Sequence, residues 1–292
     1  MLSHIKDVVN LSKKKGFAVG AFNVHGLESI LGVANGLTRS KSPGIIQVSE
    51  GAIKYMGLKP LIHLVSTVAK NIAPNVPIAL HLDHGKSLGN VLGCIEAGFS
   101  SVHIDASHLP LDENIALTKQ VVEIARRKNV WVQGEVGAII GGHGDLGGVI
   151  KDIPIADIDE VVEFVKKTKV DTIAAAIGTA HGVYDNEDIN IKLLKEIKKR
   201  TNNKTFVLHG GSGVDPRKIR RAIREGVNII NIGSDIKIAF SQTLIANCLK
   251  NQKETDPRNL MGPTITAVEE VVIKATKLFG SYNSLKFKEI IT

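Results

Sequence analysis

Eight short apolar runs constrain this chain of 292 residues more than any other feature. They read FAVGAFNV (17–24), GIIQVS (44–49), PIALHLDH (77–84) and SSVHIDAS (100–107), then VWVQGEVG (130–137), TIAAAIGT (172–179), TFVLHGGS (205–212) and IINIGSD (229–235). Amphipathic stretches with helical period lie between them, such as NIALTKQVVEIARRKN and DIDEVVEFVKKTK. Strands that alternate with helices pair in parallel through right-handed crossovers. Eight such units in this length predict a closed (β/α)8 TIM barrel rather than an open doubly wound sheet. No linker or composition break interrupts the pattern, so one domain over 1–292 is expected.

Composition removes several classes of function. No run reaches the roughly 18 apolar residues of a membrane span, and the start, MLSHIKDVVNLSKKKGF, lacks the apolar core and cleavage site of a secretory signal. Two cysteines, Cys94 and Cys248, are too few for a disulfide framework, which points to a cytoplasmic chain. The net charge of +8 raises the question of nucleic acid. Most of the basic runs, such as ARRKN and PRKIRRAIRE, fall on or beside helical patterns and carry no interleaved aromatics. They read as solvated outer helix faces, and a basic protein also suits a small phosphorylated substrate.

Polar residues fall at or just past the C-terminal ends of these runs: Asn23, Ser49, Asp83 with His84, Asp105, Glu135, His181, His209 and Asn231. Any one of them alone reads as a capped strand end or a satisfied polar core residue. Together they mark the face on which barrel enzymes build their active sites.

The residue types suggest the chemistry. His84, His181 and His209 come from three strand ends, and three neutral imidazoles with one open position form a catalytic zinc set. Such a metal polarises a substrate oxygen. Asp83, next to His84, is placed to carry a proton to or from the substrate. His81 shares the strand face of Asp83, either as a partner of the site or as packing. HGGSGVDP (209–216) and NIGSD (231–235) follow the seventh and eighth runs, where barrels of this kind hold phosphate. Their glycines let backbone N–H groups approach an anion, and the helix opened by VDPRKIRRAI offers its N-terminus. The glycine-heavy stretch GAIIGGHGDLGGV after the fifth run reads as a mobile lid, with His143 an exposed loop histidine.

HLDHG, IDASHLPLDENIALTK, AIGTAHGVY, LHGGSG and ETDPRNLMGP together resemble the class II, zinc-dependent ketose-bisphosphate aldolases, over about residues 1–283. AFNVHGLE, AIGTAHGVY and KIAFSQ are most similar to the tagatose-bisphosphate branch, with the fructose-bisphosphate branch next. The resemblance implies that His84, His181 and His209 hold zinc and that Asp83 is the acid/base group. It implies that Gly182, Gly210, Ser212, Asn231 and Ser234 bind the phosphate of dihydroxyacetone phosphate. It gives Asn23 and Ser49 places in the substrate site, and Asp105 and Glu135 a second, displaced metal position. It places a sodium or potassium ion among carbonyls near Gly182 and Gly210, and sends Arg258 to the other phosphate in a neighbouring subunit of a homodimer or homotetramer. The expected reaction is cleavage of fructose or tagatose 1,6-bisphosphate.

The chain departs from the family pattern in three places. The lid GGHGDLGG lacks the family's Gly-Gly-x-Glu-Asp glutamate and leaves Asp145 as the nearby carboxylate. Ile229 stands where a lysine is usual, and Gly233 where the fructose branch has Asp or Asn. These departures keep open a sugar-phosphate-binding barrel with little or no turnover. A Schiff-base aldolase would need a lysine inside a strand end, and none of the eight runs has one.

Overall fold

The computed structural model describes residues 2–141, 149, 152–182, 184 and 187–286. Its elements are α1 (Ile5–Lys15), β1 (Val19–Asn23), α2 (Leu27–Arg39), β2 (Gly44–Ser49), α3 (Glu50–Met56), α4 (Leu58–Asn71), β3 (Ile78–Gly85), α5 (Leu88–Glu96), β4 (Ser101–Ile104) and α6 (Leu111–Arg127). There follow β5 (Trp131–Val136), α7 (Ile158–Thr168), β6 (Thr172–Ala175), α8 (Ile191–Arg200), β7 (Thr205–Leu208), α9 (Pro216–Arg224), β8 (Val227–Ile232), α10 (Ser234–Lys250) and α11 (Pro257–Phe279). The strands pair in parallel in sequence order and β8 returns to β1, closing the barrel that the eight runs predict.

The strand pleat explains where the site forms. Alternate residues face inward. Near the N-terminal end those residues are apolar: Val19, Ala21, Ile45, Ala79, Ala174, Val207 and Ile229 form one buried cluster. Helix α1 plugs this end, because Ile5, Val8 and Val9 recur at helical spacing and join the same cluster. Gly16 stops the helix in a left-handed conformation (φ 74°) and turns the chain into β1. Burying each such side chain stabilises the fold by about 1.5–3 kcal/mol.

One step further along the strands the inward residues are polar. Asn23, Gln47, His81, His103 and Gln133 are all buried, and the ladders set Asn23 beside Gln47, Gln47 beside His81, and His103 beside Gln133. An apolar floor thus carries a polar layer that opens at the C-terminal mouth. Outside the barrel, α2 lies close against α11. A Cβ on Gly32 would fall 2.7 Å from Val268 Cβ, and one on Gly36 2.6 Å from Val272 Cβ. That contact holds the middle of α11 against α2 on the outside of the barrel.

Candidate active site

His84, the last residue but one of β3, has φ at 48°, a left-handed backbone that a side-chain-bearing residue seldom adopts. The ladder to β4 shifts register between Leu82 and Gly85. A regular strand would point His84 away from the face of Asp83; the shift and the positive φ bring both into the mouth. His181 lies in the loop after β6, its N–H donating to the Ile140 carbonyl at 2.8 Å. His209 follows the last residue of β7.

The three rings converge. His84 Nε2 lies 3.0 Å from His209 Nδ1, and His181 Nε2 lies 3.4 Å from that same atom. Tetrahedral zinc holds imidazole nitrogens at about 2.0–2.1 Å, which separates any two of them by roughly 3.3–3.4 Å. His84 Nδ1 sits 2.6 Å from Asp105 Oδ2. A carboxylate only accepts, so Nδ1 carries the proton and Nε2 presents its lone pair to the common point. His209 Nε2 lies 2.8 Å from Gln133 Nε2, an amide nitrogen that donates to it. A metal at Nδ1 requires the Gln133 amide turned over, so that its oxygen accepts from Nε2–H and Nδ1 presents the lone pair. The donor set fits a divalent metal.

The electrostatics agree. Burial pulls the His84 pKa down, but Asp83, the hydrogen bond donated to Asp105 and the charge of Glu135 outweigh it and push the value up to about 9. The surrounding field therefore favours positive charge at these nitrogens, whether proton or metal ion. Burial also acts to raise Asp105, yet its hydrogen bond to His84 and the nearby His103 hold it well below the usual carboxylate range. Glu135, fully enclosed, is pushed up by burial to about 7.

A deeper group overlaps this one: ligand atoms of His84, His103, Glu135 and His209 lie within 4.8 Å of one another. His103 Nδ1 accepts the backbone N–H of His84 at 3.3 Å, which puts the neutral ring's proton on Nε2. That nitrogen faces Glu135 Oε2 at 3.8 Å, and both atoms are buried without a hydrogen bond. Burial lowers the His103 pKa to about 3 and keeps the ring neutral. The tautomer makes His103 a weaker metal ligand than His181, whose ring nitrogen already joins the outer cluster.

Asp83 lies beside the cluster, its Oδ1 3.8 Å from His84 Nε2. Asn23 Nδ2 donates to Asp83 Oδ2 at 2.7 Å, and Asn231 Nδ2 reaches Oδ1 at 3.5 Å. Gln47 Nε2 donates to Asn23 Oδ1 at 2.7 Å and fixes the orientation of that amide. The carboxylate is thus held in place from below while its neighbours face the mouth.

Asn23, His181, Gly182, Gly210, Ser212, Asn231 and Ser234 line one cleft with Gly211 and Gly233. Gly210 is at φ 65°, and a Cβ there would stand 2.1 Å from the Ala180 carbonyl oxygen. Helix α9 caps itself: Asp215 accepts from the Arg217 N–H, so that N-terminus is already satisfied. Helix α10 begins at Gly233 with no side-chain cap, and its first residues are in the cleft. The first residues of α10 rather than those of α9 line this cleft, and the Asp235 N–H of that first turn donates to Ser212 Oγ at 3.3 Å.

The remaining expected residues divide. Ser107 Oγ ties Asp105 Oδ1 (2.7 Å) to Glu135 Oε1 (3.0 Å), joining those two carboxylates beneath His84. Ser49 caps α3, accepting from Ala52 N, and lines a separate cavity. Arg258 is 89% exposed and paired with Asp256 at 2.7 Å, apart from the histidines. His81 is packed, its Nδ1 2.9 Å from Ser101 Oγ. Ile229 belongs to the apolar floor. His143, Asp145 and most of the expected lid lie outside the described residues. Sequence reasoning missed His103, Gln47 and Gln133, although each stands two residues from an inward neighbour and the strand period would have placed it.

A closed barrel with a buried carboxylate beside three converging imidazoles at its C-terminal mouth defines an enzyme able to hold a divalent metal. The chain belongs to the class-II fructose-bisphosphate aldolase family, whose model matches residues 3–284. It is 37% identical over 284 residues to a probable fructose-bisphosphate aldolase of Bacillus subtilis (strain 168), covering 97% of this chain and 99% of that one. It is 39% identical over 279 residues to a 6-phospho-5-dehydro-2-deoxy-D-gluconate aldolase of Bacillus licheniformis, covering 95% and 94%. Among solved structures, the YdjI aldolase from Escherichia coli K12 superposes with a TM-score of 0.82 at 28% identity, covering 98% of this chain and all of that one. Among the described residues, no helix is long and apolar enough to cross a membrane.

Proposed function

We propose that this chain, acting as one catalytic domain, reversibly cleaves a ketose 1,6-bisphosphate, fructose or tagatose, to dihydroxyacetone phosphate and glyceraldehyde 3-phosphate. The observation that carries this reading is the convergence of His84 Nε2, His181 Nε2 and His209 Nδ1 beside Asp83. The three histidines would hold zinc, which when bound supplies a Lewis acid for the carbonyl oxygen of the ketose. Asp83 moves the proton between the substrate hydroxyl and solvent, and Asn23 and Asn231 keep its carboxylate turned toward the substrate. The cleft of Gly182, Gly210, Ser212 and Ser234 receives the phosphate of the three-carbon ketone. Asp105 orients His84 and, with Glu135, offers the second metal position.

Further features belong to the same reading. A sodium or potassium ion would sit among the carbonyls near Gly182 and Gly210. Arg258, exposed at the start of α11, would serve the site of a neighbouring copy in a homo-oligomer. Two free cysteines suit a reducing cytoplasm. The test is exchange of the C3 hydrogen of dihydroxyacetone phosphate with deuterated solvent, together with cleavage of both bisphosphates. Exchange with cleavage supports the reading. Tight binding of dihydroxyacetone phosphate with neither would support instead a barrel that binds sugar phosphates without turnover.

A further inference from the structure

A cavity of about 420 Å³ lies between α10, α11 and the loop after β7, and none of the chemistry above uses it. Its size is within the roughly 300–1,000 Å³ that small-molecule sites occupy. Helix α10 turns Asp235, Ile238 and Gln242 to it, and α11 turns Val271, Ala275 and Leu278. Spacings of three or four and then seven residues put each set on one face of its helix. The loop closes the inner side. Gly211 lines both this cavity and the phosphate cleft, so the two meet at that residue.

The wall is mostly apolar and carries one half-buried carboxylate, Asp235, while Gln242 and Lys274 are exposed at the rim. Burial pushes the Asp235 pKa up. The hydrogen bond from the Ser212 hydroxyl acts against that, and among the described residues no cation does. A carboxylate in an apolar recess without a counter-charge selects an ammonium: an anion is repelled, and a neutral apolar ligand desolvates the carboxylate with nothing in return. Asp235 also connects the cavity to the cleft. Its N–H donates to Ser212 Oγ at 3.3 Å, and its carboxylate takes the Ser212 O–H. Ser212 has one proton to give. An ammonium at Asp235 competes for the carboxylate and releases that proton toward the cleft.

We propose that this cavity is an effector site for a small apolar ammonium ligand, which pairs with Asp235 and tightens phosphate binding through Ser212. The coupling, though not the cavity, rests on the reading above in which Ser212 binds phosphate. Coupling between two sites is reciprocal, so phosphate raises the affinity for the amine by the same factor.

The experiment titrates n-hexylammonium, n-hexanol and hexanoate into the protein by calorimetry, with and without inorganic phosphate, and titrates phosphate with and without the amine. Hexylammonium should bind saturably. Hexanol should bind about tenfold more weakly or worse, the loss expected without a charged hydrogen bond, and hexanoate should not bind. Asp235→Asn should weaken hexylammonium by about ten- to a hundredfold. Ala239→Phe, which fills the cavity from α10, should abolish amine binding and leave phosphate affinity without amine as in wild type. Amine and phosphate should tighten each other by about fivefold or more. Hexanol bound as tightly as the amine, amine binding unaltered in both variants, or amine binding that leaves phosphate affinity unchanged would each overturn the proposal. A wild type that binds no phosphate at all would overturn the phosphate reading, and the coupling with it, whereas phosphate binding without amine binding overturns this proposal alone.

Discussion

His84 Nε2 and His209 Nδ1 approach to 3.0 Å although they come from strands on opposite sides of the barrel. Two imidazole lone pairs held that close repel unless something positive lies between them. The sequence supplies the holding forces, Asp105 behind His84 and Gln133 behind His209, and so builds a place for a cation before the cation arrives.

Asp83→Asn should keep the metal and lose turnover. The amide preserves size but cannot take a proton, and general acid–base groups contribute roughly 10²–10⁴-fold. Metal content and kcat measured on the same preparation check this. Activity within about threefold of wild type, under ~0.7 kcal/mol of transition-state free energy, would move proton transfer to another group, Asp145 first.

Asn23→Ala should reduce both turnover and stability. Its amide donates to Asp83 and accepts from Gln47 in the buried layer. Removing it leaves two buried polar partners, each costing about 1–3 kcal/mol when unsatisfied. Chemical denaturation and kcat report the two effects separately. An unchanged midpoint with wild-type kcat would show that Asp83 needs no such support.

Closure of the barrel is legible in the eight runs and their helical spacers, because pleat and helix period are local properties of the chain. The convergence of His84, His181 and His209 beside Asp83 is legible because strand ends in a barrel meet on one face. The cleft lined by Gly182, Gly210, Ser212 and Ser234 is legible from glycines at fixed places. What the sequence hides depends on side chains reaching across the barrel. His103 is readable as an inward residue, yet only the backbone N–H of His84, donated to its Nδ1, shows that its proton lies toward Glu135. Ser49 points into a separate cavity, not the phosphate cleft, because β2 and β8 lie on different sides of Asn23.

Gly210→Ala should damage the phosphate cleft. The added methyl would meet the Ala180 oxygen at 2.1 Å from a backbone at φ 65°. Left-handed geometry costs a side-chain-bearing residue about 1–2 kcal/mol even without the clash. The expected result is a lower melting temperature and weaker binding of inorganic phosphate, measured by calorimetry. Wild-type values for both would remove Gly210 from the cradle.

Lys198 makes stability depend on pH far from the site. Its ammonium is buried below β7 and β8 and donates to the Lys204 carbonyl at 2.7 Å. Burial, with Lys13 nearby, lowers its pKa from 10.5 to about 8. Below pH 8 both folded and unfolded chains carry the charge, and the cost of burying it is fully present. Between about pH 8 and 10.5 the folded chain sheds the proton while the unfolded chain keeps it, so stability rises with pH. The difference in unfolding free energy between wild type and Lys198→Met should therefore grow in favour of wild type across that window. A flat difference would mean that Lys198 titrates normally.

The central claim is that His84, His181 and His209 hold one divalent metal on which turnover depends. The direct measurement is metal content by mass spectrometry on wild type and on His84→Ala, His181→Ala and His209→Ala, paired with cleavage before chelation, after it and after added zinc. About one zinc per chain in wild type, most of it lost in each variant, and cleavage abolished by chelation and restored by zinc would bear the claim out, as expected of a three-histidine site. Full cleavage by a metal-free sample, or a His181→Ala variant that keeps its metal while His103→Ala loses it, would contradict it.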